Sequence, residues 1–530
     1  MTSNIIKKMV VAGGIALSMT ACTDDLNLAP QYEVTSASLY KDFANYKSVL
    51  AKIYGGYALT GLKTDGAPDL SGFDEGKSNY IRAYWTLQEL STDEAVIAWS
   101  DVFPIHNMNW NSGTEAVRMM YDRIFYQVAL TNEFIRNTTD ARLAENGITG
   151  ANLEEARNYR AEARFLRAMT YWHALDLYGN VPFVTETDPI GFFNPPQISR
   201  AELFAWVESE LLAVEAELVP ARQNEYPRAD KAAAWMVLAK LYLNAEVYTG
   251  QARYTDAITY SKKVIDAGYT LAPEYPELFM ADNDRYARTT GGVPQEIILP
   301  VAFDGRRTTS WGGTTFLIHA SLGPEHNAAA FGMNGGWGGL RATPEVIDLF
   351  NTSDERAIYH TEGHTKEIEA ISNFANGYPL NKYTNITSTG APGSDPGLNF
   401  PDTDFPLFRL ADAYLMYAEA VLRGGTGGDR ATALGYVNML RNRAFNGAGS
   451  ISDAQLTLNF ILNERARELH WEGHRRTDLI RYGLFTSSNY LWAWKGGVPA
   501  GRGVADYRRL YPIPASDLAA NPNLKQNTGY

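Results

Sequence analysis

The sequence predicts a mostly α-helical fold, a stack of about four tetratricopeptide-like helix pairs carrying a large, irregular, loop-rich half. Three observations predict it. Apolar residues recur at four-three spacing in several long segments. Two such segments follow one another back to back, at residues 230–245 and 255–267, with a combined length near the roughly 34-residue helical repeat unit. The stretches between pairs are long and rich in Gly, Asp, Asn and aromatic residues.

The elements follow in chain order. Residues 39–59 and 114–137 form a first pair, with a loop-rich part at 61–112 between them. In residues 154–178, Ala161, Phe165, Ala168, Trp172 and Leu175 share one helical face, Gly179 supplies the left-handed residue that ends a helix, and Pro182 prevents its continuation. Its partner runs to about residue 218. The third pair is 230–245, with Ala234, Leu238, Leu241 and Ala245 on one stripe, and 255–267, ending at Gly268. The fourth is 405–422 with 432–445. One long helical stretch at 452–482, opened by Ser452 with Gln455 three residues on as a capping box, closes the stack. A second loop-rich part spans about 282–401.

Composition limits the function. The chain has 530 residues, 45% hydrophobic and 20% charged, and no Pro/Ser-rich linker or charge block divides it, so residues 22–530 are expected to form one body. A net charge of −13 without a concentrated basic face argues against nucleic acid as a partner. The 31 Tyr and 11 Trp exceed what a helical core needs and suggest rings kept for recognition.

Residues 1–21 read as a secretory signal: Lys7 and Lys8 precede an apolar run, starting at Met9, that is too short to remain as a membrane span. The run stops at Met19-Thr20-Ala21-Cys22, which resembles a bacterial lipobox, with Met19 in place of the usual Leu. Cys22 is the single cysteine of the chain. An exported protein that avoids disulfides keeps one thiol at the cleavage point, and lipid attachment accounts for it. Asp24 and Asp25 resemble the sorting signal of surface-exposed lipoproteins, so the expected location is the outer-membrane surface, held by a lipid anchor.

Several segments resemble signatures of the SusD family. They include Glu162-Ala163-Arg164-Phe165-Leu166-Arg167-Ala168, Gly179-Asn180-Val181-Pro182-Phe183 and Arg228-Ala229-Asp230-Lys231-Ala232. Further on lie Phe408-Arg409-Leu410-Ala411-Asp412-Ala413-Tyr414, Glu472-Gly473-His474-Arg475-Arg476-Thr477-Asp478 and Tyr511-Pro512-Ile513-Pro514. The resemblance implies a tetratricopeptide-type fold and a non-enzymatic receptor for starch or maltooligosaccharides, working as the lid-like partner of a SusC-like TonB-dependent outer-membrane transporter. It also implies site residues. Trp99, Trp311 and Trp337 match an arc of three aromatics in the starch-binding member, where Trp311 replaces a tyrosine, and Arg82 and Asp74 match its hydroxyl partners. Flat rings pack on the C–H faces of glucose while charged groups meet its rim hydroxyls. Glycines on both sides of Trp337 favour an exposed ring. Ile97 stands where the starch binder has a further tryptophan, and residues 100–103 do not reproduce an asparagine contact. Another glycan in the same role is the alternative.

The remaining constellations carry less. Trp85, Trp110, Trp172, Trp206, Trp235, Trp471, Trp492 and Trp494 are assigned to packing. His470 and His474 lie four apart around Glu472 with metal-ligand spacing on an expected helix, but not in the His-Glu-x-x-His order, and packing is preferred. Asp282-Asn283-Asp284 alternates oxygen ligands without the rest of a calcium loop, and the family resemblance allows a structural calcium at Asp282 and Asp284. No cofactor is expected to be required. A glycosidase needs two carboxylates facing one bond, and adjacent pairs such as Asp74-Glu75 or Asp93-Glu94 diverge from an extended backbone, so a hydrolase is the disfavoured class.

Overall fold

A computed structural model describes residues 36–63, 67–288 and 293–530. The signal segment 1–21 and Cys22 lie outside the described residues. The helices used below are α1 (Ala44–Ala58), α2 (Tyr80–Glu89), α3 (Glu115–Asn137), α4 (Ala151–Leu177), α5 (Arg200–Glu217), α6 (Lys231–Leu243), α7 (Tyr254–Asp266), α8 (Gly313–Ser321), α9 (Leu410–Leu422), α10 (Arg430–Ala444), α11 (Leu458–Leu469) and α12 (Arg475–Arg481). Four short strands matter here: β1 (Val96–Ile97), β2 (Ile297–Val301), β3 (Leu340–Arg341) and β4 (Phe405–Arg409).

The helices pack in series, α3 on α4, α4 on α5, α5 on α6, α6 on α7, α7 on α9 and α9 on α10, with α1 lying against α3 and α4. This is the mostly helical stack that the spacing predicts. Alanine makes close approach cheap: Ala232, Ala233, Ala234 and Ala239 of α6 are fully buried, as are Ala411, Ala413, Ala418 and Ala420 of α9. Gly179 takes φ 74° and its N–H reaches the carbonyl of Ala174 at 3.2 Å, ending α4 where expected. Ser199 and Glu202 form a capping box on α5, and the side chains of Asp230 and Asp429 accept from the first turns of α6 and α10.

Three expectations are corrected. Residues 405–409 are strand β4, not the start of a helix. They pair antiparallel with β2, and Phe405, Pro406, Leu407 and Phe408 form a run buried on both faces. The stretch 452–482 is not continuous. The Ser452–Gln455 capping box exists but closes a single 3₁₀ turn, α11 starts anew from Thr457, and the chain breaks between α11 and α12. There Trp471 takes φ 60° and Gly473 φ 83°, and an added Cβ at Gly473 would sit 2.8 Å from the Tyr84 ring. His470 and His474 flank that break and do not share a helical face. The His470 Nδ1 faces the Arg467 carbonyl at 2.9 Å, and His474 Nδ1 lies 3.3 Å from Lys240 Nζ.

The third correction concerns α2 and α8, which fall inside stretches expected to be irregular. Every residue of both helices is buried. The two helices have only ten and nine residues, shorter than the window over which a helical period can be counted.

The family-like signature segments build a buried ionic lattice between helices. Arg409 donates to Glu472 at 2.7 Å, Glu468 at 2.6 Å and Glu296 at 3.0 Å. Arg475 holds Asp93, Arg465 joins Asp412 to Asp478, and Arg481 holds Glu419, all with side chains at most 4% exposed. Arg356 spans Asp354, Glu464 and Glu468. Cationic partners hold Glu464 and Glu419 down to about 2 against the upward push of burial. Such pairs cost desolvation but are geometrically exacting, and they tie α9, α11, α12 and the loop after α2 into one arrangement.

Candidate functional site

The ladder between β1 and β3 builds one wall of the site. Val96 pairs with Arg341 and Ile97 with Leu340, and the Ala98 N–H continues the ladder to the Gly339 carbonyl at 3.0 Å. Ile97 is therefore interior, 2% exposed, and Trp99 emerges just beyond it. Trp99 rests on Gly339, where an added Cβ would lie 2.7 Å from its Cζ2 and 2.8 Å from its Cε2. Only glycine leaves room for the indole.

Trp337 stands on the C-terminal end of α8. Its N–H reaches the His319 carbonyl, and the N–H groups of Gly338 and Gly339 reach Leu322 and Ala320, each at 2.8 Å. Gly338 takes φ 57°, and an added Cβ at Gly336 would meet the Leu322 carbonyl oxygen at 2.2 Å. Behind the indole, the His319 ring stacks at 4.6 Å and 6°, so one face of Trp337 is backed and the other is turned outward.

Trp311 comes from the loop before α8. Its backbone presses on Gly76, where a Cβ would lie 2.7 Å from the Trp311 Cβ, and its ring packs on Phe400 at 4.7 Å. Asn79 organises this corner: it caps α2 by accepting from the Arg82 N–H, and donates to the Ala58 carbonyl and the Ser310 hydroxyl.

The three indoles form a continuous row. Trp99 and Trp337 have centroids 6.3 Å apart and planes inclined by 43°, and Trp337 and Trp311 follow at 6.1 Å and 56°. All three are half-buried. They line a cleft of about 430 Å³ together with Asp74, Glu75, Gly76, Lys77, Arg82 and Asp101. The structure thus brings all five sequence-derived residues, Trp99, Trp311, Trp337, Arg82 and Asp74, to one place.

Arg82 lies at the base, its guanidinium 4.2 Å over the Phe316 ring and 5.6 Å from Trp99, with Nη1 donating to the Trp311 carbonyl at 3.2 Å. Burial lowers its pKa to about 10 while Asp74 and Asp101 act against that shift, so it remains a cation at neutral pH. Asp74 is exposed and its Oδ1 accepts from the Lys77 N–H at 2.9 Å. Lys77 in turn pairs with Asp101 across the cleft edge. Lys77 and Asp101 were not singled out by sequence as site residues, and Glu75 only as half of the disfavoured Asp74-Glu75 carboxylate pair. Their signal was proximity: Glu75 and Lys77 neighbour Asp74, and Asp101 lies in the 100–103 segment that departs from the family pattern. His319 and Phe400, which back the indoles, carried no signal.

Other sequence candidates lie elsewhere. Asp93 and Glu94 are interior, Asp93 against Arg475 and Tyr490, and Glu94 accepting from the Trp471 N–H. Asp282 accepts from the Ser388 N–H and hydroxyl at 2.9 and 2.7 Å and faces Arg285, while Asp284 pairs with Arg288 at 2.7 Å. Their carboxylates are thus engaged by donors of the chain itself. Trp85, Trp110, Trp172, Trp471 and Trp492 are buried, and the half-buried Trp235 and Trp494 donate to Glu215 and to the Ile368 carbonyl. No helix among the described residues is long and apolar enough to cross a membrane.

Comparison with known proteins agrees with this architecture. The model of the SusD family matches residues 369–530. The chain is 37% identical to the starch-binding protein SusD of Bacteroides thetaiotaomicron, an alignment that covers 100% of both chains. It is 28% identical to SusD-like protein P25 of Formosa agariphila, over 71% of this chain and 74% of that one. Among solved structures, surface glycan-binding protein A of Bacteroides fluxus superposes with a TM-score of 0.69 at 20% identity, covering 92% of this chain and 99% of that one. Surface glycan-binding protein A of Bacteroides thetaiotaomicron, in complex with laminarihexaose, gives 0.67 at 20% identity over 91% and 99%. The two solved structures share the fold, and the full-length 37% identity shows more: the chain belongs to the SusD family.

Proposed function

We propose that the protein is a non-enzymatic, surface-exposed, lipid-anchored receptor that captures starch or maltooligosaccharide chains and presents them to a SusC-like TonB-dependent outer-membrane transporter. The observation that carries the ligand class is the inclination between successive indoles. Planes turned by 43° and 56° make a curved platform. A coiled α-1,4-glucan can lay successive sugars on such a surface, whereas a flat ribbon meets one ring at a time. Arg82 and Asp74, at the foot and rim, then meet hydroxyls. Lys77 engages both Asp74, through its N–H, and Asp101, through its ammonium, which suits binding better than hydrolysis. The full-length identity to a starch-binding protein supports the same ligand, and the Cys22 context supports the anchor.

Affinity electrophoresis in amylopectin tests the reading, with retardation expected for the wild type and lost in a Trp99→Ala, Trp311→Ala, Trp337→Ala triple variant. A second reading, another glycan in the same role, is favoured by the interior Ile97 and by the Lys77–Asp101 pair at the rim. A calorimetric glycan panel separates the two: binding confined to maltooligosaccharides removes the second, and binding confined to other glycans removes the first. Incubation with maltoheptaose should release no new reducing ends.

A further inference from the structure

Away from the cleft, the loop after α8 and the loop at residues 358–377 converge on an imidazole cluster that the glycan reading does not use. The chain has 8 His, and three of them, His326, His360 and His364, meet here beside Glu325. The His326 and His360 rings have centroids 4.0 Å apart at 38°. One ligand atom from each of Glu325, His326 and His360 lies within 4.8 Å of the others. The His326 side chain is fully buried, and Nε2 of both His326 and His360 is buried without a hydrogen-bond partner. Buried imidazole nitrogens left unpaired are costly unless something else occupies them.

We propose that Glu325, His326 and His360 bind one borderline-soft divalent cation of the zinc class. Two imidazoles and one carboxylate form a three-ligand set of the kind that holds zinc with a fourth position open to water, and nitrogen donors select against calcium and magnesium. Tetrahedral bonds of about 2.0–2.1 Å place ligand atoms roughly 3.3 Å apart, so the cluster contracts by up to about 1.5 Å on binding. The Glu325 carboxylate is already turned inward, its Oε1 2.8 Å from His326 Nδ1, which leaves Nε2 of that imidazole as the ligand atom. His364 is the positioning residue. Its Nδ1 faces the Gly377 carbonyl at 3.0 Å and its Nε2 the Glu325 Oε1 at 3.0 Å, the arrangement that orients a carboxylate ligand from behind. Phe374 packs on the His364 ring at 5.1 Å and holds it in place. The cation would join the loop at residues 358–377 to the loop after α8, which begins at Leu322, whose carbonyl accepts from the Gly338 N–H beneath Trp337.

The test is calorimetry of EDTA-stripped, full-length folded protein with ZnCl₂ and CaCl₂, together with the visible spectrum of the Co²⁺-loaded form. One equivalent of Zn²⁺ should bind, Co²⁺ should give the intense visible bands of four-coordination, and Ca²⁺ should give no heat attributable to these residues. The combined His326→Ala, His360→Ala variant should abolish the Zn²⁺ heat. His364→Phe should weaken it by about 10–100-fold. Glu325→Gln, which keeps the size of the side chain and a hydrogen-bonding oxygen, serves if the histidine variants misfold, and should weaken Zn²⁺ binding in protein that a thermal melt shows to be folded. Absence of a saturable one-to-one Zn²⁺ isotherm, or wild-type binding by folded double or Glu325→Gln variants, overturns the proposal. Maltoheptaose binding by the same stripped protein keeps this outcome separate from that of the glycan reading.

Discussion

Trp337→Ala is the sharpest test of the cleft, because the structure fixes how much surface is at stake. An aromatic side chain buries about 150–250 Å² when fully enclosed. One face of Trp337 is already covered by His319 at 4.6 Å, so a sugar can cover at most the other, roughly half, or about 100 Å². At about 25 cal/mol per Å² this amounts to about 2.5 kcal/mol, before any loss from ordering the sugar. Affinity for maltoheptaose should therefore fall by roughly 30–70-fold on truncation, since about 1.4 kcal/mol corresponds to a factor of ten. Trp337→Phe keeps a smaller face and should retain part of the binding. Because Trp337 sits between Trp99 and Trp311, its loss interrupts the row, and Trp99→Ala or Trp311→Ala should each cost less. Isothermal calorimetry supplies the affinities and a thermal melt verifies the fold. A folded Trp337→Ala protein whose Kd changes by less than about two-fold would refute the assignment of the indoles to sugar contact.

Gly339→Ala removes no ligand-contacting atom, yet its Cβ would collide with the Trp99 indole; maltoheptaose affinity should drop several-fold with only a modest fall in Tm, and unchanged calorimetry would show that Trp99 need not be seated there. Arg409→Met takes one cation from Glu472, Glu468 and Glu296, leaving them to Lys382, Arg356 and Arg443, and should cost about 3–5 kcal/mol in denaturant unfolding, the range for removing one partner of a buried pair. Burial pushes Glu94 up to about 8 and, together with the nearby Glu94 charge, raises Glu89. A carboxyl whose folded pKa is raised favours folding below its unfolded value near 4.5 and loses that contribution as pH rises toward about 8. Glu94→Gln, which carries no ionisable proton, should therefore gain Tm relative to wild type as pH rises across that window, and parallel Tm curves would exclude the effect.

Legibility in the sequence followed the length of each element. Long helices, such as the 27-residue α4 with Ala161, Phe165, Ala168 and Trp172 at four-three spacing, were visible to within a few residues. Short ones set between Gly-rich stretches were not: α2 and α8, of ten and nine residues, looked like loop. Strand β4 continued the apolar run of α9 without a Gly or Asp to mark the change, and the 470–474 break is dictated by Tyr84 and by Glu89, whose carboxylate accepts from the N–H groups of Gly473 and His474, all distant in sequence. At the cleft, glycine-flanked Trp337 was legible because the glycines are local to it. The stack of His319 behind it, and the pairing of Lys77 with Asp101, depend on chain segments brought together only by folding.

The residues that carry the family resemblance and the residues that line the cleft are different populations, held by different physics. Arg409, Asp412, Glu472, Arg475 and Asp478 are locked in an interior lattice, where losing one partner leaves a stranded charge, so their identities are dictated by one another. The indoles depend instead on space: Gly76 under Trp311 and Gly339 under Trp99 are positions where even one methyl group intrudes. A change at Gly339, or of Asp101 at the rim, can reshape ligand preference and leave the helical lattice untouched. That separation fits a TM-score of 0.69 at 20% identity, a shared fold that says nothing of a shared ligand. Specificity has to be argued from the inclination of three rings and the charges at their foot, to which the helices contribute little beyond Arg82 of α2 and His319 of α8.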